Sequence, residues 1–252
     1  MNSSDSRFKQ QALPTWRRAV LKVGSSLLAA EGEGLTPRHA LGLAQFVSDS
    51  LAAGREVVIV SSGAVAAGRA VIHRQANANA AMAERQALAA LGQARLIGLW
   101  QTLFERPVAQ VLLTHDDLRN RRRYLNARAT LNELLALGAL PVINENDTVS
   151  VDELKLGDND NLAAVIAALV DADVLFIATD IDGFYTANPR THAEAQPIED
   201  VEALTPEFFA MAGDAGSSSG TGGMRTKLEA AAKAAAAGIE TFLFNGTRAD
   251  AV

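Results

Sequence analysis

Glu56-Val57-Val58-Ile59-Val60 runs directly into Ser61-Ser62-Gly63. An unbroken β-branched run, without polar alternation, reads as a strand buried on both faces, and the small polar triplet marks where the chain leaves it. Working outward, the same device recurs. Ala19–Val23 is a strand ended by Gly24-Ser25-Ser26, and Thr36 with Pro37 reads as the cap and first residue of a helix that Gly54 stops. Ala81–Glu105 is a long helical stretch, with Leu88, Leu91, Leu96, Leu99 and Leu103 near helical spacing. Pro107–Thr114 reads as a strand, the stretch up to Leu137 as one helix stopped by Gly138, and Leu140–Asn144 as a strand opening into an acidic loop. Asn161–Val170 is helical, Val174–Ala178 a strand, Met224–Ala237 an alanine-rich helix and Glu240–Phe244 a last strand.

Apolar strands alternating with helices predict an α/β fold, a three-layer sandwich with helices on both faces of a mostly parallel central sheet. In such sheets ligands bind beyond the carboxyl ends of the strands. The loops that follow the strands are therefore where chemistry is sought.

Composition narrows the classes. The 252 residues carry 23 Lys+Arg against 29 Asp+Glu, a formal charge of −6. That acidic balance argues against a dedicated nucleic-acid binder. The absence of cysteine excludes disulfides, thiolate metal sites and a thiol nucleophile. Met1–Gln11 has no apolar core of a signal peptide, and no run of about 18 apolar residues offers a membrane span. The expectation is a cytoplasmic protein, with 1–18 as a polar tail and 19–252 as one domain.

The loops are unusual. Lys22-Val23-Gly24-Ser25-Ser26 follows the first strand; Gly220-Thr221-Gly222-Gly223-Met224-Arg225-Thr226-Lys227 leads into the last helix. Glycines let backbone amides approach a phosphate, and a helix N-terminus adds its positive dipole end. Taken singly, each of these also fits a solvated lysine or a surface loop. The P-loop and dinucleotide fingerprints are missing. Gly216-Ser217-Ser218-Ser219-Gly220 matches a hydrolase elbow, but no strand precedes it and no histidine follows, since the last is His192. His39, His73, His115 and His192 show no metal-ligand spacing. Asn144-Glu145-Asn146-Asp147 and Gly157-Asp158-Asn159-Asp160-Asn161 crowd polar groups around one short segment, either as turn formers and caps or as a pocket for an ammonium group and for cations near a phosphate.

With these loops in order, the chain from about Ala19 to Gly246 resembles the amino-acid kinase family. The resemblance rests on Lys22–Ser26, Val60–Arg69, Leu125–Arg128, Val142–Asp147, Gly157–Asn161, Gly183–Arg190 and Gly220–Lys227. The paired acidic loops are similar to those of the branch that phosphorylates the side-chain carboxylate of glutamate. The resemblance implies transfer from ATP with Mg²⁺, in the opening step of proline synthesis. It implies that Lys22 and Lys227 contact the phosphates, that Asp160 organises the lysines or Mg²⁺, and that Ser62, Gly63, Asn144, Asp147 and Asn159 hold L-glutamate. ATP would lie against Lys22, Thr179, Asp180, Thr221, Gly222, Gly223, Met224, Arg225, Thr226 and Lys227. No residue is assigned to a metal. Proline as feedback inhibitor and a dimer or tetramer are implied as well, with no nucleic-acid or membrane partner. Many members of that branch continue into further strands and a C-terminal PUA domain, which is read as absent from these 252 residues.

The chemistry agrees from the residues alone. A glutamate carboxylate, with a reference pKa of about 4.3, is already an ionised nucleophile at neutral pH and needs no general base. The obstacle is bringing anion against anion, which lysines and amide-lined loops relieve. A free α-ammonium group needs acceptors such as Asp147, whereas an N-acylated substrate would not. Acetylglutamate kinase, aspartokinase and a silent nucleotide-binding sensor stand as alternatives. Arg119, Arg121, Arg122, Arg123 and Tyr124 form a basic cluster read as a solvated helix face.

Overall fold

The computed structural model describes residues 8–9, 11–29, 34–73, 81–150, 159–213 and 223–248. In chain order these form β1 (Arg18–Val23), α1 (Ser25–Leu28), α2 (Ala40–Ala52), β2 (Glu56–Ser61), α3 (Ala64–Val71), α4 (Met82–Thr102), β3 (Val108–Leu113), α5 (His115–Arg119) and α6 (Arg121–Ala136). There follow β4 (Leu140–Glu145), α7 (Asn159–Leu169), β5 (Val174–Thr179), the short β6 (Phe184–Tyr185) and β7 (Pro197–Ile198), α8 (Pro206–Met211), α9 (Met224–Ala236) and β8 (Glu240–Asn245). Six strands pair in the order β3-β4-β2-β1-β5-β8, every pair parallel, while β6 and β7 form a small antiparallel ribbon.

Alternate residues of the central strands feed two separate cores, as continuous apolar strands require. Leu21, Val57, Ile59, Val142 and Phe176 pack with Leu43 and Val47 of α2 and Leu96 and Trp100 of α4. Val20, Val58, Val60, Ile143, Leu175 and Ile177 pack on the other face with Leu162 and Ile166 of α7 and Ala230 and Ala234 of α9. The result is the expected three-layer sandwich. Lys22 and Arg18 have the parity of Val20, so both face the layer of α7 and α9.

Two backbone features position the site. Gly63, at φ +113°, turns the chain from β2 into α3. Gly68 and Gly92 let α3 and α4 touch: a Cβ on Gly68 would stand 1.9 Å from the Leu88 carbonyl oxygen, and one on Gly92 1.8 Å from that of Ala64. No larger residue permits that approach.

Local expectations are corrected in three places. The helix after Thr36 starts at Ala40, because Pro37–His39 form a turn in which the Thr36 hydroxyl takes the Arg38 amide at 3.3 Å. The stretch before Gly138 is two helices, not one. Thr114 and Asp117 close a capping box that starts α5, and Asn120 then caps α6 by accepting from the Arg122 and Arg123 amides. Finally, α7 begins at Asn159 rather than Asn161, which places Asp160 inside a helical turn.

Candidate functional site

Three elements deliver three charges to one point. Lys22 comes from the carboxyl end of β1, Asp160 from the first turn of α7 and Lys227 from the first turn of α9. Lys22 Nζ lies 2.5 Å from Asp160 Oδ1, and Lys227 Nζ 3.1 Å from Asp160 Oδ2. Asp160 is 0% exposed, Lys22 5% and Lys227 8%. The Thr226 hydroxyl stands 2.9 Å from Asp160 Oδ2 and 2.8 Å from the Gly223 carbonyl. Buried ammonium groups are costly without an anion beside them; Asp160 supplies one for both. Taken by itself, the trio holds two cations to one anion. The N-terminus of α9, whose Gly223 cap has no side chain to bond the first-turn amides, faces the same region; with its positive dipole end it favours an anion.

Beside the trio lies a chain of amides. Asn159 Nδ2 donates to Ser62 Oγ at 2.7 Å, to Asn144 Oδ1 at 2.9 Å and toward the Ser61 carbonyl at 3.3 Å. Asn144 Nδ2 in turn donates to Gln93 Oε1 of α4 at 2.9 Å. Asp147 follows in the turn after β4, half-buried, where the Val149 and Ser150 amides bond the Asn146 carbonyl. Gly63 sits at the head of α3, next to Ser62.

At the end of β5, Thr179 is buried and its hydroxyl reaches Asp180 at 3.3 Å. Asp180 is paired with Arg190, Nη2 to Oδ2, at 2.8 Å. Burial pushes the Asp180 carboxyl up, but the Arg190 hydrogen bond and charge outweigh it and hold the pKa below the ordinary value. Asp180, Asp182, Tyr185, Arg190 and Asn245 line an open cavity of about 260 Å³. A second, of about 430 Å³, lies by α5, where Arg123 pairs with Asp117 at 3.1 Å and Asn146 and Ser150 complete the wall.

The structure thus brings Lys22, Asp160, Lys227, Thr226 and Gly223 together, and separately Ser62, Asn144 and Asn159. Thr179 and Asp180 stand at the neighbouring strand end. Arg225 is exposed and pairs along its helix with Glu229, while Met224 is the first residue of α9. Thr221 and Gly222 lie outside the described residues, as do Gly157 and Asp158. Sequence reasoning missed Gln93 and Arg190. The second was within reach, since Arg190 closes one of the stretches that carried the resemblance.

Among the described residues no three His, Cys, Asp or Glu side chains cluster as metal ligands, and both oxygens of Asp160 already meet ammonium groups. These side chains do not fit a metal cage of their own. Nor, among the described residues, is any helix long and apolar enough to cross a membrane.

Fold and site define a class: a parallel three-layer α/β protein that gathers buried cations beyond the carboxyl ends of its central strands. The chain belongs to the amino acid kinase family, whose profile matches residues 17–245. It is 73% identical over 247 residues to the glutamate 5-kinase of Xylella fastidiosa strain M12, and 78% identical over 233 residues to that of Xanthomonas campestris pv. campestris strain 8004. These alignments cover 98% and 92% of the chain, which spans 64% of the length of each relative. Among solved structures, the fold resembles carbamate kinase from Giardia lamblia bound to AMP-PNP, with TM-score 0.64, 15% identity and 92% and 93% of the two chains covered. It also resembles the T. acidophilum isopentenyl phosphate kinase product complex, with TM-score 0.63, 16% identity and 92% of each chain covered.

Proposed function

We propose that this chain carries the kinase activity of a glutamate 5-kinase: ATP plus L-glutamate gives L-glutamyl 5-phosphate and ADP, the opening step of proline synthesis, in the cytoplasm. The convergence of Lys22 and Lys227 on Asp160, next to the Ser62–Asn159–Asn144 amides, carries this reading. Identity of 73–78% to two glutamate 5-kinases supports the choice of substrate.

In the reaction, an oxygen of the glutamate side-chain carboxylate attacks the γ-phosphorus and the bond to the β–γ bridging oxygen breaks, releasing ADP. No proton need move, because the nucleophile is already ionised. The work of the protein is to hold two anions in line and offset their charge. Lys22 and Lys227 offset it, and Asp160 holds both ammonium groups aimed at one point. The first-turn amides of α9, with Gly223, Met224, Arg225, Thr226 and the preceding Thr221 and Gly222, cradle phosphates, and Thr179 and Asp180 flank the nucleotide. Ser62, Gly63, Asn144, Asp147 and Asn159 receive the amino acid. Mg²⁺ would be held by the nucleotide phosphates, its usual mode, and would supply further charge neutralisation there. Proline as inhibitor and a homo-oligomeric state belong to the same proposal.

The test is ATP turnover with Mg²⁺, trapping the acyl phosphate with hydroxylamine, across glutamate, N-acetylglutamate and aspartate. Hydroxamate with glutamate is expected; formation only with the other two acids would reject the reading.

A further inference from the structure

Gln86, Gln93 and Trp100 recur at seven-residue spacing along α4, which puts them on one face of the helix. Each meets the carboxyl end of a central strand or the segment just beyond it. Gln86 Nε2 donates to the Ser150 carbonyl at 3.1 Å, Gln93 Oε1 accepts from Asn144 Nδ2 at 2.9 Å, and Trp100 Nε1 donates to Ser61 Oγ at 2.9 Å. The close Gly68–Gly92 contact holds this helix against α3. The face therefore acts as a rail along which the carboxyl ends of β2 and β4 and the turn after β4 are pinned.

The polarity of the middle contact is set by groups that cannot flip. The Glu145 backbone N–H only donates, and it donates to Asn144 Oδ1 at 2.9 Å. The Ser61 carbonyl only accepts, and it faces Asn159 Nδ2 at 3.3 Å. The Asn144 NH₂ is therefore turned toward α4, where its partner must be an acceptor. We propose that Gln93 is a positioning residue for the amino-acid substrate: its side-chain oxygen orients the Asn144 amide, which orients Asn159, and so decides which atoms Ser62 and Asn159 present. Ser62 Oγ already accepts from Asn159, so its proton is left to donate to a carboxylate. Asn159 Oδ1, on the other side of its amide from these acceptors, is left to accept from an ammonium group. A donor and an acceptor side by side match the α-carboxylate and α-ammonium of a free amino acid. The inference rests on the reading that Ser62 and Asn159 receive glutamate.

Two variants of similar length separate the acceptor from mere bulk. Gln93→Met removes the oxygen and Gln93→Glu keeps one. Gln93→Met is expected to raise the KM for glutamate about tenfold or more, because it strands the Asn144 NH₂. The KM for ATP and kcat at saturating glutamate stay within about threefold, as for a lost ground-state contact. Gln93→Glu recovers most of the glutamate KM. Gln93→Asn, which keeps the amide but not the reach, behaves like Gln93→Met and replaces it should the methionine variant not fold. An unchanged glutamate KM, an equal rise in both KM values, or a Gln93→Glu no better than Gln93→Met would overturn the inference. A wild-type chain that turns over no glutamate at all would instead overturn the functional reading, and the inference with it.

Discussion

The two ends of β1 each bury a basic side chain on the same face, four positions apart, and treat it differently. At the amino end Arg18 is 9% exposed and bonds Glu56 at 2.7 Å and Asn132 at 3.1 Å, and it also donates to the Val170 carbonyl just past α7. Glu56 takes Arg17 as well at 3.2 Å, and Asp173 accepts both the Arg17 and Arg18 amides at 2.8 Å. Two guanidinium groups meet two carboxylates, and a helix C-terminus, the negative end, receives a cation. At the carboxyl end, the N-terminus of the same helix presents Asp160 to Lys22 and Lys227, one carboxylate between two ammonium groups. The helix runs back along the strand, so one element closes a balanced cluster below and sets two ammonium groups on one carboxylate above. A charge-matched cluster fixes the fold, whereas a cluster rich in cations suits an anionic guest.

That contrast can be broken at either end. The largest effect is expected from Asp160→Asn, which leaves two buried ammonium groups facing a neutral amide. A loss of about 3–5 kcal/mol, the range for breaking a buried pair, should appear in urea unfolding; an unchanged midpoint would show that Asp160 does not hold the lysines. Next come Lys22→Met and Lys227→Met. Each should lower kcat by about 10²–10³, the cost of losing one group that stabilises developing charge. Melting temperatures should stay near wild type, since Asp160 keeps its other lysine and Thr226. A variant that melts early but turns over normally would reverse the assignment of the two ends.

Arg18→Met should do the opposite. It strands the Asn132 and Val170 acceptors and part of Glu56, costing about 1–3 kcal/mol of stability. Its turnover well below the melting temperature should be unaltered. The smallest effect is a pH dependence at Asp173. The Arg18 amide is the main reason its carboxyl lies below the ordinary value; burial works against it, and the Arg17 amide and both guanidinium charges add to the lowering. A depressed folded pKa contributes stability that is fully present above the unfolded value, about 3.9, and is lost as pH falls through the folded one. The carboxylate is exposed, so screening keeps this below about 1 kcal/mol. Asp173→Asn should flatten the acid limb of a stability–pH curve; identical limbs would remove Asp173 from the balanced cluster.

The layers were legible because strand and helix patterns are local: Val57–Val60 declares a doubly buried strand whatever surrounds it. Thr36 misled because a good capping residue followed by proline also suits a turn. The split at Asn120 went unread because the hydrophobic rhythm hardly changes across it, while a side chain accepting two amides interrupts the helix. In the site, Lys22, Asp160 and Lys227 stood out as charges in loops that leave apolar strands. Gln93 did not, since a glutamine on a long helix has no local signature of its partner. Its meaning comes from Asn144, reached only when α4 lies beside β4.

What the chain determined by itself is thus the alternation of strands and helices, and which loops carry charge and glycine. These follow from side-chain periodicity and backbone freedom within a few residues. Tertiary structure alone decided that Lys22 and Lys227 meet on one carboxylate, that Arg18 is answered by Glu56 at the other end of the strand, and that Gln93 faces Asn144. Such pairings depend on the parallel sheet order and on the direction of α7 against β1, where distances between residues remote in sequence are set by packing and not by spacing.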